Sequence, residues 1–274
     1  MGEPTQPADA GMNLGTVPVV PMRAGKYEVR LARTPQEIEA AQKLRYRVMY
    51  EERGGRPALE KVRLGADVDE WDDIAWHVIV TDTTASSLSV LGTLRLVSNL
   101  RLKPGQKFYT EEAFDLSALR EHFASILELG RFCIDAGGRQ GVILMLIWKW
   151  TMQFIVDNHI DVMTGCASFP GMDVERHRDV LGFLYRNNLA PEALRPRPVL
   201  DNFVNLSEVA DSNAGFDEAT KDIPTLLRGY LKLGARVSDA AILDPVFNTT
   251  FIAIYVVASE MLLETTVLNT SRRG

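Results

Sequence analysis

Glu128 and Arg131 stand three residues apart inside the apolar run LELGRFCID, which then breaks into AGGRQG before a second apolar stretch begins. A carboxylate in a strand can take a proton from a nucleophile, and a guanidinium beside it can orient that carboxylate or hold an anion. Charges in such a run are costly unless paired, so both residues require partners. Gly137, Gly138 and Gly141 flank Arg139 and Gln140. Bare amides at a helix N-terminus attract phosphate, and Arg139 would add a charge-assisted contact. The alternative is an ordinary strand-to-helix turn that uses glycine for positive φ. The spacing matches neither a Walker loop nor the dinucleotide fingerprint.

Four more carboxylates, Asp67, Asp69, Asp72 and Asp73, fall within GADVDEWDD. A calcium loop is excluded, since Trp71 stands where a ligand is needed, Asp72 replaces the glycine and no Glu closes the loop. The stretch is either a docking site for a cationic substrate group or a solvated acidic loop. Arg45 and Arg47 lie on a predicted helix, and Arg95 is central in the apolar GTLRL. Arg95 needs a bound anion or a carboxylate, with Glu128 or a loop aspartate as the source. His77, His122, His159 and His177 lack metal-ligand spacing, so no metal site is expected. Cys133 and Cys166 sit in apolar runs with no nearby histidine, which reads as reduced, buried thiols in a cytoplasmic protein. Arg176, Arg178, Arg186, Arg195 and Arg197 concentrate basic charge. They form either a docking patch for an acidic protein or anionic lipid, or a solvated helix face.

The elements that must position these residues follow from periodicity. With 274 residues, 46% apolar, 24% charged and a net charge of −6, the chain is expected to be one soluble domain with no general affinity for nucleic acid. Residues 1–25, rich in Pro and Gly, read as a flexible tail rather than a signal peptide, 26–260 as the domain and 261–274 as a second tail. Strands are predicted at 27–32, 75–81, 90–97, 127–134, 161–167, 235–243 and 251–257, with one buried face for the second and third. Helices are predicted at 34–50, opened by Thr34, Pro35 and Glu37, and at 116–123, 141–158, 173–188 and 223–234. The helix at 141–158 is apolar nearly all round at its start and should be buried. The late apolar stretch 251–268 is interrupted by Ser259, Glu260 and Glu264, so it reads as a strand and short helix rather than a membrane span. Irregular alternation favours an α/β (α+β) fold with a mixed sheet.

In this order, DVDEWDD, GTLRL and ELGRF resemble the acyl-homoserine-lactone synthases of the GCN5-related N-acyltransferase superfamily. ELGRFCID, FPGMDVERHRDVLGFLYRNNLAPEALRPRP and YLKLGARVSDAAILDPVFNTTFIAIYV are more similar to a sister family, the bacterial ornithine N-acyltransferases that start ornithine-lipid synthesis. The resemblance covers about residues 27–258.

It implies a GCN5-related N-acyltransferase fold, with a splayed central sheet flanked by helices. A thioester-linked acyl chain would lie in the V between two parallel strands. The donor would contact Phe132 and Cys133, with its pantetheine phosphate at Arg139, Gln140 and Gly141. The superfamily's usual CoA loop is reduced to a remnant here, which points to a donor on acyl carrier protein, with CoA as the alternative and no resident cofactor. The expected reaction is aminolysis of the thioester by an amino-acid α-amine, with glycine, lysine or glutamine as acceptors besides ornithine. Glu128 would be the base, Arg131 would either orient it or fix the acidic loop, and backbone amides near Phe132–Ile134 would form an oxyanion hole. Arg45 or Arg95 would meet the acceptor's carboxylate, and Asp69, Asp72 and Asp73 its cationic groups. A non-catalytic regulator that binds acyl carrier protein or lipid is the rival from another class, and the amphiphilic product implies brief contact with a membrane.

Overall fold

The computed structural model describes residues 17, 20–138, 141–209, 221 and 223–261. Arg139 and Gln140 lie outside these residues, as do most of the expected N-terminal tail and residues 262–274 of the other. In chain order the strands are β1 (Met22–Ala24), β2 (Tyr27–Leu31), β3 (Trp76–Asp82), β4 (Val90–Ser98), β5 (Phe114–Asp115), β6 (Ile126–Ile134), β7 (Val162–Pro170), β8 (Arg197–Pro198), β9 (Phe203–Asn205), β10 (Arg236–Asp244) and β11 (Thr249–Val257). The principal helices are α1 (Pro35–Tyr46), α2 (Leu59–Leu64), α3 (Ser117–His122), α4 (Val142–Asp157), α5 (Arg178–Asn188) and α6 (Thr225–Leu231).

The main sheet has the order β1-β2-β3-β4-β6-β7-β11-β10-β9, with β5 and β8 paired separately. Its pairings are antiparallel except that of β6 with β7, which α4 connects as a crossover helix. The mixed sheet agrees with the expectation. Its first strand, β1, lies within the stretch expected as a tail and pairs with β2 from Met22↔Val29 to Ala24↔Tyr27. The folded region therefore begins before residue 26.

β6 and β7 pair at Ile126↔Val162, Leu127↔Met163 and Glu128↔Thr164, and the pairing stops there. At this point a Cβ on Gly165 would lie 2.4 Å from the Leu129 carbonyl oxygen, so only glycine lets the strands approach before they part. On the other edge of β6, the register with β4 shifts between Thr93↔Cys133 and Arg95↔Gly130. Two residues of β6, Arg131 and Phe132, thus face one of β4, a bulge in which Arg131 takes φ 54°.

α1 starts as its sequence predicts, with the Thr34 side chain accepting the Glu37 N–H at 3.3 Å. The Glu37 carboxylate turns back to the Arg33 N–H at 2.6 Å and pairs with Arg30, a capping box displaced by one residue. The helix then widens to π pairing over Arg47–Glu52 instead of continuing as α-helix to Tyr50.

Both sheet faces are covered. Ile143, Ile147, Trp150 and Phe154 of α4 pack with Val78, Val80, Leu94 and Leu96, while Ala41, Leu44 and Val48 pack with Ile79 and Cys133. The expectation of a single buried face on β3 and β4 is corrected: Val78, Ile79 and Val80 in succession are fully buried because α4 and α1 lie on opposite sides. α4 buries one stripe rather than its whole first two turns, since Met145 is 60% exposed.

Candidate active site

Where β6 and β7 part, a cavity of about 480 Å³ opens between them. Leu129, Phe132, Leu144, Met163, Leu226 and Ile254 give it apolar walls, and Tyr109, Thr110, Glu128 and Arg131 line a polar part. A chamber with a carboxylate and a long apolar wall suits an amphiphile whose reacting group is polar.

Glu128 is 3% exposed. Its Oε1 accepts the Thr110 N–H at 2.7 Å and its Oε2 accepts the Tyr109 N–H at 3.1 Å. Burial pushes its carboxyl above the usual range, against the opposing pull of these N–H groups and of Arg95. A carboxylate so placed is a proton acceptor strengthened by desolvation.

The acidic loop is drawn into a buried ionic network rather than left in solvent. Arg45 Nε reaches Asp67 Oδ2 at 3.0 Å, and its Nη1 and Nη2 reach the two Asp72 oxygens at 2.9 and 2.8 Å. Arg131 reaches Asp67 and Asp69, each at 2.9 Å. Arg95 Nη1 bridges Asp69 and Asp72, the latter at 3.0 Å. Lys61 Nζ and the Tyr50 hydroxyl donate to Asp67 Oδ1 at 2.6 and 3.1 Å. The Arg131 guanidinium lies 4.4 Å from the Tyr109 ring centroid and 5.1 Å from that of Phe247. Burial works against ionisation of Asp67 and Asp72, but Arg131, Arg45 and Lys61 around the first and Arg45 and Arg95 around the second hold both carboxyls well below the usual range.

This arrangement corrects several expected contacts. Arg45 is fully buried, its nitrogens are engaged by Asp67 and Asp72, and it is absent from the cavity wall, so it holds the acidic loop instead of meeting an acceptor. Asp69 and Asp72 face arginines, not the cavity, and Asp73 is exposed and lines no part of it. Arg95, expected to pair with either an anion or a carboxylate, has aspartate partners and still lines the cavity. Phe132 and Gly141 line the cavity. The Cys133 side chain points into the α1 core, where burial pushes its thiol up to about 12, so it cannot meet a donor in the cavity. Cys166 does line the cavity, and burial pushes its thiol also to about 12. Neither sulfur is poised as a thiolate nucleophile. Of the basic cluster, Arg178 pairs with Glu175, and Arg195 and Arg197 pair with Asp239. Arg176 and Arg186 are exposed.

Sequence reasoning missed Tyr50, Lys61, Tyr109 and Thr110. The last two hold Glu128 through backbone N–H groups, which leave no signal in the sequence. Lys61 and Tyr50 lie in segments of unremarkable polarity, and only the fold brings them to Asp67.

The geometry can be set beside known proteins. An Acetyltransferase (GNAT) domain matches residues 44–149. An L-ornithine N(alpha)-acyltransferase of Rhodobacter capsulatus is 35% identical over 229 residues, covering 82% of this chain and 87% of that protein. One from Rhizobium meliloti is 35% identical over 239 residues, 85% of this chain and 80% of that protein. Among solved structures, the CoA-dependent acyl-homoserine lactone synthase BjaI aligns with a TM-score of 0.46 at 15% identity, over 85% of this chain and 82% of that one. The GNAT domain match spans the polar network and β6, and the curated relatives match over more than four fifths of the chain, so the chain is an acyltransferase and belongs to the L-ornithine N(alpha)-acyltransferase family.

Proposed function

We propose that the protein moves a fatty acyl group, with or without a 3-hydroxyl, from the thioester of acyl carrier protein to the α-amine of ornithine, releasing lyso-ornithine lipid. The observation that carries this reading is the cavity between β6 and β7, which joins a buried carboxylate to apolar walls. Ornithine as acceptor is supported by the names of the relatives.

The chemistry follows from the residues present. An α-ammonium with a pKa of about 8 is mostly protonated at pH 7 and must lose a proton before it can attack. Glu128 takes that proton, directly or through water, a contribution of about 10²–10⁴-fold. The neutral amine adds to the thioester carbonyl, and the oxyanion is stabilised by backbone N–H groups of the β6 bulge near Phe132. Collapse breaks the C–S bond, and the adduct nitrogen loses its second proton to give the amide. Of the two protons given up by the nitrogen, one protonates the departing thiolate and the other passes through Glu128 to solvent. Arg131, fixed by Asp67 and Asp69, positions the strand and its bulge. Arg95 meets the acceptor's carboxylate with N–H groups other than the shared Nη1.

The donor's pantetheine arm enters the V with its phosphate near Gly141, where α4 begins. Exposed Arg176 and Arg186 offer charge to the acidic carrier protein, with CoA as the competing donor. Among the described residues no helix is long and apolar enough to cross a membrane. The amphiphilic product is the ground for placing brief peripheral contact with the inner face of the membrane in this reading. Mass spectrometry of the protein incubated with 3-hydroxyacyl–acyl carrier protein, or the matching CoA ester, and a panel of amino acids tests the reading. An N-acyl-ornithine formed from the carrier-linked donor is expected. Its absence while another amino acid is acylated would replace the acceptor, and product from the CoA ester alone would replace the donor.

A further inference from the structure

Ornithine has two amines, and an enzyme that acylates only the α-amine has to tell them apart. The α-amine must be deprotonated to react, whereas the side-chain amine serves recognition best as an ammonium ion. Among the described residues, two carboxylates line the cavity, Glu128 on β6 and Asp244 at the end of β10. Asp67, Asp69 and Asp72 are saturated by arginines and line none of it, so they offer no seat for a second cation.

Asp244 is fixed at one oxygen and open at the other. Its Oδ1 accepts the Val246 N–H at 2.7 Å and the Phe247 N–H at 3.1 Å, while Oδ2 has no hydrogen-bond partner among the described residues. The turn that carries it is tied to both sides of the site. The Arg56 N–H donates to the Val246 carbonyl at 2.6 Å, and the Gly171 N–H to that of Asn248 at 2.9 Å. The Phe247 ring stacks on Tyr50 at 5.4 Å and covers the Arg131 guanidinium. The same turn therefore packs on the ionic network that positions β6 and presents a carboxylate to the cavity. A role limited to shaping the β10–β11 hairpin would account for Oδ1 but not for a second oxygen without a hydrogen-bond partner among the described residues, on a residue that lines the cavity.

Resting on the ornithine reading above, we propose that Asp244 selects the acceptor: its carboxylate holds the side-chain ammonium, which leaves the α-amine as the group beside Glu128. Asp244 thereby sets both the preference for a diamino acid and the choice of nitrogen. The cationic side chains that line the cavity, Arg53, Arg95 and Arg131, repel an ammonium and attract the α-carboxylate, so the opposite signs hold the acceptor in one orientation.

The test compares ornithine with norvaline, which has the same carbon chain but no side-chain amine, at saturating acyl donor. The wild-type protein is expected to use ornithine at least ~10-fold better in kcat/KM, since a charge-assisted hydrogen bond is worth about 1.5–3 kcal/mol. Asp244→Asn retains an Oδ1 acceptor for the turn and removes the charge. It is expected to raise the ornithine KM by ~10-fold or more, leave norvaline kinetics unchanged and let acylation of the side-chain nitrogen appear in the product. Asp244→Glu should recover part of the preference. Equal use of both acceptors by the wild type would overturn the inference without any variant, as would an equal loss on both acceptors in a folded Asp244→Asn protein. No acylation of ornithine by the wild type, with another amino acid acylated, would instead remove the reading on which the inference rests.

Discussion

Glu128 and Thr110 meet at 2.7 Å, where a carboxylate oxygen of β6 accepts a backbone N–H of the loop that covers it. The second oxygen takes the Tyr109 N–H, so one carboxylate both holds the loop and faces the cavity.

Glu128→Gln separates these two duties. The amide oxygen can still accept one N–H, but its NH2 group would face the other donor, a loss of about 1–3 kcal/mol in stability. Turnover should fall by about 10²–10⁴-fold while circular dichroism still reports a folded protein. In the wild type the acid limb of kcat against pH should lie above the ordinary glutamate value of about 4.3, because burial raises this carboxyl. A folded Gln variant with normal turnover would remove Glu128 as the base.

Arg45 predicts the opposite signature. Its side chain is 0% exposed and binds Asp67 and Asp72, so Arg45→Ala leaves two carboxylates buried with fewer partners. The expected loss is about 3–5 kcal/mol, read from the urea midpoint. Acceptor KM should stay near the wild-type value at temperatures where the variant is folded. A raised KM at unchanged stability would return Arg45 to the acceptor site.

The same network makes stability depend on acid. Asp67 and Asp72 have carboxyls depressed in the folded protein relative to about 3.9 in the unfolded chain. Their contribution is thus fully present above pH ~4 and is lost as the pH falls from there through the folded-state values. Urea midpoints should hold from neutral pH to about 4 and then decline. Asp72→Asn should lower the neutral midpoint and flatten that decline, and a parallel decline in the variant would place the acid sensitivity elsewhere.

Among the described residues, the seven strands of five or more residues were legible because β-branched runs bounded by turn residues leave little choice, and β4 and β6 fall within a residue or two of their predicted limits. The two- and three-residue strands β1, β5, β8 and β9 are too short to show a period. The widening of α1 at Arg47 was not, since π and α pairing bury nearly the same residues over six positions. The candidate site was legible in its members but not in their pairing. Arg45, Arg95, Arg131 and the loop aspartates all stood out as charges in or beside apolar runs. Which of them would neutralise one another depends on contacts across 22 to 64 residues of chain. An arginine fully engaged by carboxylates and one poised for a substrate look alike in a sequence. Asp244 was hidden differently: it lies in a recognised stretch, yet an aspartate before proline reads first as a turn former.

Gly165 and Gly130 flank the V on its two strands and should respond to substitution in opposite ways. A Cβ at Gly165 would sit 2.4 Å from the Leu129 carbonyl oxygen, a backbone atom that cannot yield without moving β6. Gly165→Ala is therefore expected to cost about 1–3 kcal/mol, as overpacking does, and to lower activity by shifting the two strands. A Cβ at Gly130 meets nothing within 4 Å, and the residue lines the cavity. Gly130→Val should leave stability within about 0.5 kcal/mol of the wild type. Its side chain would instead occupy space the acyl thioester needs, raising the donor KM with the acceptor KM little changed. Urea melts and initial rates at varied donor give both readouts. A Gly130→Val protein with unaltered donor KM would mean that the acyl thioester does not pass between β6 and β7 at this level.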